Sequence, residues 1–410
     1  MKKLKILCIS HNSIYPPNFG GAIGIFYRLI YLKNRGHLIS IIAPRPKNIK
    51  DMEKAESLFD DVFFYKMKPK IKKLGIAFKS LFFSYPFFVY RLEPCKTDKT
   101  EIKKFYDKIK PDIIFIEASY AYSVYSVLKE KIAEDNAKVI YVAHNIDYLS
   151  TLGVGKDEKK IFNKIFLYIQ AYRQKKIELK IIKEVKNIFC VSIEELNFFK
   201  KNNPDCNIFW MPTILDVESQ EADENFFDDF DFSKLKKYKY RILFTGDLSY
   251  ASNIYALDWF IKEVFPILRK NSNVCFIIVG KSPVKELIEA VKQWEHIFLF
   301  SDVQSVSPFM DIADIVVVPM FNKFGIKIKL IEALKCGKKV VARPEGLIGA
   351  NLLDIIPNSD SPTEFAQKCM DVLNNTIDFE PIWRKFNEMY DNDKVTNMIE
   401  SELYKAVNED

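Results

Sequence analysis

The chain has 410 residues, 48% of them hydrophobic and 28% charged, which is too long for one ordinary domain and fits two sizeable cores. No apolar run approaches the roughly 20 residues that span a bilayer, and the opening MKKLKILCIS breaks too early for a secretory leader, so a cytoplasmic protein is expected. The net charge of +7 divides unevenly: residues 1–205 hold 38 Lys+Arg against 22 Asp+Glu, and the rest is net acidic. The first half is thus expected to face something anionic.

In chain order, short β-branched runs alternate with helical stretches. LKILCIS (4–10), LISIIA (38–43), DIIFIE (112–117), KVIYVA (138–143) and NIFCVS (187–192) have the continuous apolar character of buried parallel strands. Ala22–Arg35 and Thr100–Ile109 lie between them as helices, and Gly36 stops the first. His37 belongs to that turn. Residues 216–240 interrupt the rhythm with the acidic DVESQEADENFFDDFDF, a linker. The alternation restarts with YRILFTG (240–246), VCFIIVG (274–280), HIFLF (296–300), DIVVVPM (314–320) and KKVVA (338–342). Beyond about residue 375 the pattern is helical. The expected organisation is a first domain at 1–215, a linker at 216–239, a second domain at 240–375, and helices at 376–410 that pack back on the first domain. Both domains read as α/β, doubly wound parallel sheets of the Rossmann-like kind.

Seven scattered cysteines lack any C-x-x-C pair and read as buried free thiols. Four histidines show no ligand spacing, so no metal is expected. The acidic DDFDF at 228–232 reads as solvated linker. In open parallel sheets, ligands bind beyond the carboxyl ends of the strands, which directs attention to the loops there. FGIKIKLIEALKCGKKVVA (324–342) is the most informative. Gly325 and Ile326 precede a helix, whose free N–H groups and dipole attract an anion. Lys327 and Lys329 add positive charge. Glu332, two turns along, can accept hydrogen bonds from vicinal hydroxyls. The same spacing is also ordinary α/β punctuation with a solvated face.

This stretch resembles the signature of the glycosyltransferase family 4 group, G-x-K-x-K-x-x-E-A followed by G-x-P-V-V. FTGDLSYASNIYALDWFIKEVFPIL (244–268), FIIVGKSP (276–283), SDVQSVSPFMDIADIVVVPM (301–320), the Pro/Gly-Gly loop and G-H turn within SIYPPNFGGAIGIFYRLIYLKNRGHLISIIAP, and VAHNID (142–147) resemble further parts of that group in the same order. The resemblance implies the GT-B architecture, two Rossmann-like domains facing a cleft. It implies transfer of a sugar from a UDP- or GDP-type nucleotide sugar, with retention of configuration and without a metal or other cofactor. It assigns Glu332 to the ribose, Lys327, Lys329 and the amides of Gly325 and Ile326 to the diphosphate, and Gly246, Asn253 and Gly280 to the borders of the same site. Gly20 and Gly21 would admit the diphosphate or acceptor, and His144 would lie near the transferred sugar. Four places depart from the pattern. Phe324 stands where many members carry a second glutamate, Asp247 where an arginine is usual, Pro212-Thr213-Ile214 where the first domain usually ends on Asn-Gly, and Asp147 where the first-domain motif has glutamate.

The expected acceptor is a glycan or a polyprenyl-linked sugar in surface polysaccharide assembly. Residues 64–91 interleave lysines with aromatics, and three readings stand: a basic loop over core aromatics, stacking on single-stranded nucleic acid, or contact with an anionic membrane. Membrane contact would place the protein peripherally on the inner face of the plasma membrane; nucleic acid is the less favoured partner. A nucleotide-sugar epimerase and a non-catalytic binding protein on the same fold are the alternatives, the former lacking an evident set of acid/base carboxylates.

Overall fold

A computed structural model describes residues 2–17, 20–68, 85–217, 232–271, 273–303, 305–323 and 325–408. Phe324, residues 69–84 of the basic aromatic stretch and residues 218–231 of the acidic linker lie outside the described residues. The chain divides into two units, residues 1–214 with 392–410, and residues 215–391.

The first unit is built on seven parallel strands: β1 Lys5–Ile9, β2 Leu38–Pro44, β3 Asp61–Tyr65, β4 Ile113–Glu117, β5 Lys138–Ala143, β6 Asn187–Cys190 and β7 Asn207–Trp210. They lie in the order β3-β2-β1-β4-β5-β6-β7. The central strands are buried on both faces, as Ile6, Leu7, Cys8 and Ile9 of β1 and Ile113 to Ile116 of β4 illustrate. That is why they read as continuous apolar runs. The strand order reverses between β1 and β4, so the loops after these two strands splay apart and open a crevice at their carboxyl ends.

The second unit repeats the plan with five parallel strands: β8 Tyr240–Thr245, β9 Val274–Gly280, β10 Ile297–Ser301, β11 Ile315–Val318 and β12 Lys339–Ala342, in the order β10-β9-β8-β11-β12. Here the reversal falls between β8 and β11. The α/β, doubly wound character expected from the sequence is therefore present in both units.

Three expectations need correction. The strands β3 and β7 were not foreseen; they are the two edges of the first sheet, half-buried, and lack the continuous apolar signature of their neighbours. The tail does not act as one block from 376 to 410. The helix Glu380–Tyr390 stays with the second unit, where Tyr390 Oη donates to the Ala350 carbonyl (3.0 Å) and Trp383 Nε1 to that of Lys338 (3.4 Å). Only the helix Asn392–Asn408 joins the first unit, with Arg35 paired to Asp393 (2.7 Å). His37 is more than a turn residue. It is buried, Nδ1 accepting from Leu4 N (3.2 Å) while Nε2 meets Glu400 (2.9 Å), so it ties the first strand to the last helix. Among the cysteines Cys95 is exposed, and Cys8, Cys190, Cys275 and Cys369 are buried.

Candidate functional site

In the second unit the loops after β8, β9 and β11 converge. Gly246 follows β8 with φ +153°. A Cβ there would stand 2.9 Å from the Asn253 amide nitrogen and 3.0 Å from Lys329 Nζ. Asn253, buried in the helix Ala251–Trp259, donates to the Asp247 carbonyl (2.8 Å) and accepts from Lys329 Nζ (3.0 Å). Gly280, the last residue of β9, lies so close to this turn that its Cβ would fall 1.8 Å from the Gly246 carbonyl oxygen. Only glycine allows that backbone approach. Asp247 turns its carboxylate onto Ser249, accepting from the amide (2.9 Å) and the hydroxyl (2.6 Å). It closes the turn that carries Gly246 toward Lys329.

After β11 the chain runs to Gly325, at φ +64°, and enters the helix Ile328–Lys335. Gly349, at φ +91°, backs this loop; a Cβ there would stand 3.2 Å from Ile326 Cα. Lys327 is the N-cap and supplies no side-chain cap. Its buried Nζ instead donates to the Gly325 carbonyl (2.8 Å). No side chain therefore caps the first N–H groups of the helix, of which that of Leu330 turns to the Lys327 carbonyl (2.9 Å). Lys329 retains some exposed surface, but its ammonium is enclosed, 3.7 Å from the centre of the Phe244 ring. Burial pulls its pKa from 10.5 down to about 7; Glu332 opposes the fall and Lys327 reinforces it. Burial pushes the Glu332 carboxyl up to about 7, against the pull of Lys329. The Glu332 carbonyl accepts from Cys336 N (3.0 Å), while its carboxyl makes no hydrogen bond to a described residue. Cys336 and Gly337, at φ +65°, end the helix.

The arrangement has the chemistry to hold an anion, with the Glu332 carboxyl beside it. Helix N–H groups and two ammonium groups converge, and Lys329 pays a desolvation cost that a bound anion would offset.

In the first unit His144 directly follows β5. Its Nε2 meets Glu117 Oε2 at 2.8 Å. Glu117 ends β4, is fully buried, and takes Arg28 on its other oxygen. Burial alone would raise its pKa, but Arg28 first and then His144 outweigh it, and the carboxyl titrates below its ordinary range. An ionised carboxylate only accepts, so His144 Nε2 is the donor in this pair. His11 Nδ1 donates to the Glu117 carbonyl (2.8 Å). Burial, then His144, lowers its pKa to about 4, so it is neutral. Gly20 and Gly21 are the first two residues of the helix Gly20–Asn34, which carries Arg28.

A second buried polar layer lies behind. Asp147 accepts from the Ser119 amide (2.8 Å) and hydroxyl, and Gln174 donates to the same hydroxyl. Glu178 accepts from the Asp147 amide (3.0 Å). Glu117, Arg28, His11, Gln174 and Glu178 were not singled out from the sequence. Two of them leave a trace there. Glu117 is the one charged residue closing the apolar run IIFIE, and Arg28 sits among Ile25, Phe26, Leu29 and Leu32 on a buried helix face.

Residues 239–375, which hold the whole cationic site, match the family described as Glycosyl transferases group 1. The second unit thus carries a glycosyltransferase domain. A 44.6 kDa protein of the cps region of Klebsiella pneumoniae is 24% identical to the chain over 96% of this chain and 98% of that one. Alr3699/HepE of Anabaena, solved with UDP and glucose, matches the fold with a TM-score of 0.65 at 13% identity, covering 98% of this chain and 100% of that chain. WaaG, solved as a glycosyltransferase of lipopolysaccharide biosynthesis, matches with a TM-score of 0.60 at 13% identity over 99% and 100% of the two chains. The fold is thus GT-B along nearly the whole length of the chain. Among its described residues no helix is long and apolar enough to cross a membrane.

Proposed function

We propose that this chain is a glycosyltransferase that moves a sugar from a nucleoside diphosphate sugar to a glycan or lipid-linked acceptor during polysaccharide assembly. The observation that carries the reading is the convergence of Lys329, Asn253 and Gly246 beside an uncapped helix start, with the Glu332 carboxylate left free. The Klebsiella relative of the cps region and the UDP held by the Anabaena protein support it.

In this reading Lys327, Lys329 and the amides of Gly325 and Ile326 hold the diphosphate, and Glu332 accepts from the ribose hydroxyls. As the sugar–phosphate bond breaks, charge builds on the leaving phosphate. Fixed ammonium groups and N–H dipoles in a dry site stabilise that charge most, which lets the reaction proceed without a metal. Asn253 holds Lys329 in aim. Gly246 and Gly280 keep the floor of the site free of side chains. In the first unit His144, fixed by Glu117, presents Nδ1 to a hydroxyl of the reacting sugar, and Gly20 and Gly21 admit substrate to the helix start. Retention of configuration belongs to the same proposal.

Thermal shift with a panel of UDP- and GDP-sugars tests it, since only a ligand of the folded state raises the midpoint. The expected result is a rise with one donor, and donor turnover that is lost in Glu332→Ala and Lys329→Ala. No rise with any nucleotide sugar, or full turnover in both variants, would overturn it.

A further inference from the structure

The helix Ile161–Glu184 is inverted with respect to ordinary amphipathic packing. Its buried face carries three polar side chains, Gln170, Gln174 and Glu178, almost wholly enclosed beside Ala171, Ile181 and Ile182. All three hold backbone or site groups, Gln170 accepting from Phe87 N (2.7 Å), Gln174 donating to Ser119 Oγ and Glu178 accepting from Asp147 N. Its outer face is apolar. Ile161, Ile165, Tyr168 and Tyr172, at intervals of four, three and four, fall on one stripe, with Phe162 at its edge. Phe162 is 83% exposed, Tyr172 62% and Ile161 60%. Lysines border the stripe: Lys160, Lys175 and Lys176 are exposed, and Lys176 Nζ stands 4.7 Å from the centre of the Tyr172 ring. Residues 159–177 hold six Lys and Arg and no Asp or Glu.

We propose that this outer face docks on an anionic lipid surface. Exposed aromatic and aliphatic side chains along one helix face, bordered mainly by positive charge with Glu158 at the helix start, match a helix lying in the headgroup layer, the apolar groups dipping in and the lysines meeting phosphates. Charge decides against a second copy of the chain, because two such faces would bring their lysines together with only Glu158, already held by Lys160 N and Asn163, to oppose them. The inverted helix also links surface and site, since its opposite face holds Ser119 and the amide of Asp147. The proposal does not depend on which donor the second unit binds, and nucleotide-induced thermal shift is unaffected by its failure.

The test is flotation of the full chain with vesicles of equal parts phosphatidylglycerol and phosphatidylcholine, and with vesicles of phosphatidylcholine alone. Binding to the anionic vesicles is expected, weakening as salt is raised. Phe162→Ser with Tyr172→Ser should reduce it about tenfold or more, because burying one aromatic side chain is worth at least that factor. Lys160→Glu with Lys175→Glu and Lys176→Glu should do the same. All five positions are exposed, and circular dichroism confirms that the variants fold. Equal binding to both vesicle types, no binding to either, or variants that bind like the parent would overturn the proposal. So would a dimer in light scattering that Phe162→Ser dissolves, which would give the face to a second copy.

Discussion

Replacing Lys329 with methionine should make the protein more stable and less able to bind a nucleotide. The lysine titrates near 7 in the folded chain instead of its ordinary 10.5. At about 1.4 kcal/mol per pH unit, that displacement is worth roughly 5 kcal/mol against folding. The sign follows from the two states. Below pH 7 the ammonium is charged in both, and the cost of enclosing it is felt in full. Between 7 and 10.5 the folded lysine is neutral while the unfolded one is still charged, and the cost fades as pH rises. Methionine removes it with little change of volume. Against this, the Phe244 ring loses a cation, worth about 1 kcal/mol, and the Asn253 Oδ1 loses its donor, worth about 2 kcal/mol. The net expectation is a gain of about 2 kcal/mol at pH 7, read as a higher urea or thermal midpoint, which vanishes at about pH 9 and reverses above it. Nucleotide affinity should fall about 10- to 100-fold with the loss of a charge-assisted hydrogen bond. A variant less stable than the parent at pH 7, or a gain that does not shrink with rising pH, would refute the reasoning.

Three further outcomes are expected. Nucleoside diphosphate affinity, followed by calorimetry across pH, should peak near 7: Lys329 loses its proton above about 7, and Glu332 gains one below about 7. Gly280→Ala should destabilise the second unit by about 3 kcal/mol or displace Gly246, because its Cβ would meet a carbonyl oxygen; chemical denaturation with a nucleotide-binding assay distinguishes the two. Glu117→Ala should cost about 3–5 kcal/mol, since it leaves the Arg28 guanidinium buried without its partner. Glu117→Gln should instead move the His144 proton from Nε2 to Nδ1, because the amide oxygen keeps Arg28 and its NH2 turns to the ring; nitrogen-15 shifts of the imidazole report this directly.

Of the twelve described strands ten could be read from residue runs: nine are largely buried, and β10, a half-buried edge strand, still shows the run IFLF. The two that could not, β3 and β7, sit at the sheet edges, where half-burial dilutes the pattern. DVFFY also runs straight into the lysine-rich stretch that drew a different reading. The cationic loop of the second unit was legible for a local reason: Gly325, Lys327, Lys329 and Glu332 lie within eight residues on one helix start. The network around His144 is made by topology. Arg28, Glu117 and His144 come from three segments, 89 and 27 residues apart, and nothing in their spacing announces that β1 and β4 are neighbours. The inverted helix hides for another reason: its hydrophobic stripe points outward, and a period of 3.6 does not say which side faces the core.

The helix Asn392–Asn408 belongs to the first unit, yet it is made only after the whole of the second. Tyr404 Oη donates to the Lys2 carbonyl (2.7 Å), and Glu400 waits for His37. During synthesis the first unit must therefore stand unfinished while all of residues 215–391 emerge. A nascent chain stalled at residue 391 would hold all of the second unit and a first unit still lacking its seal, so native packing around His37 reports that the second unit has already been made.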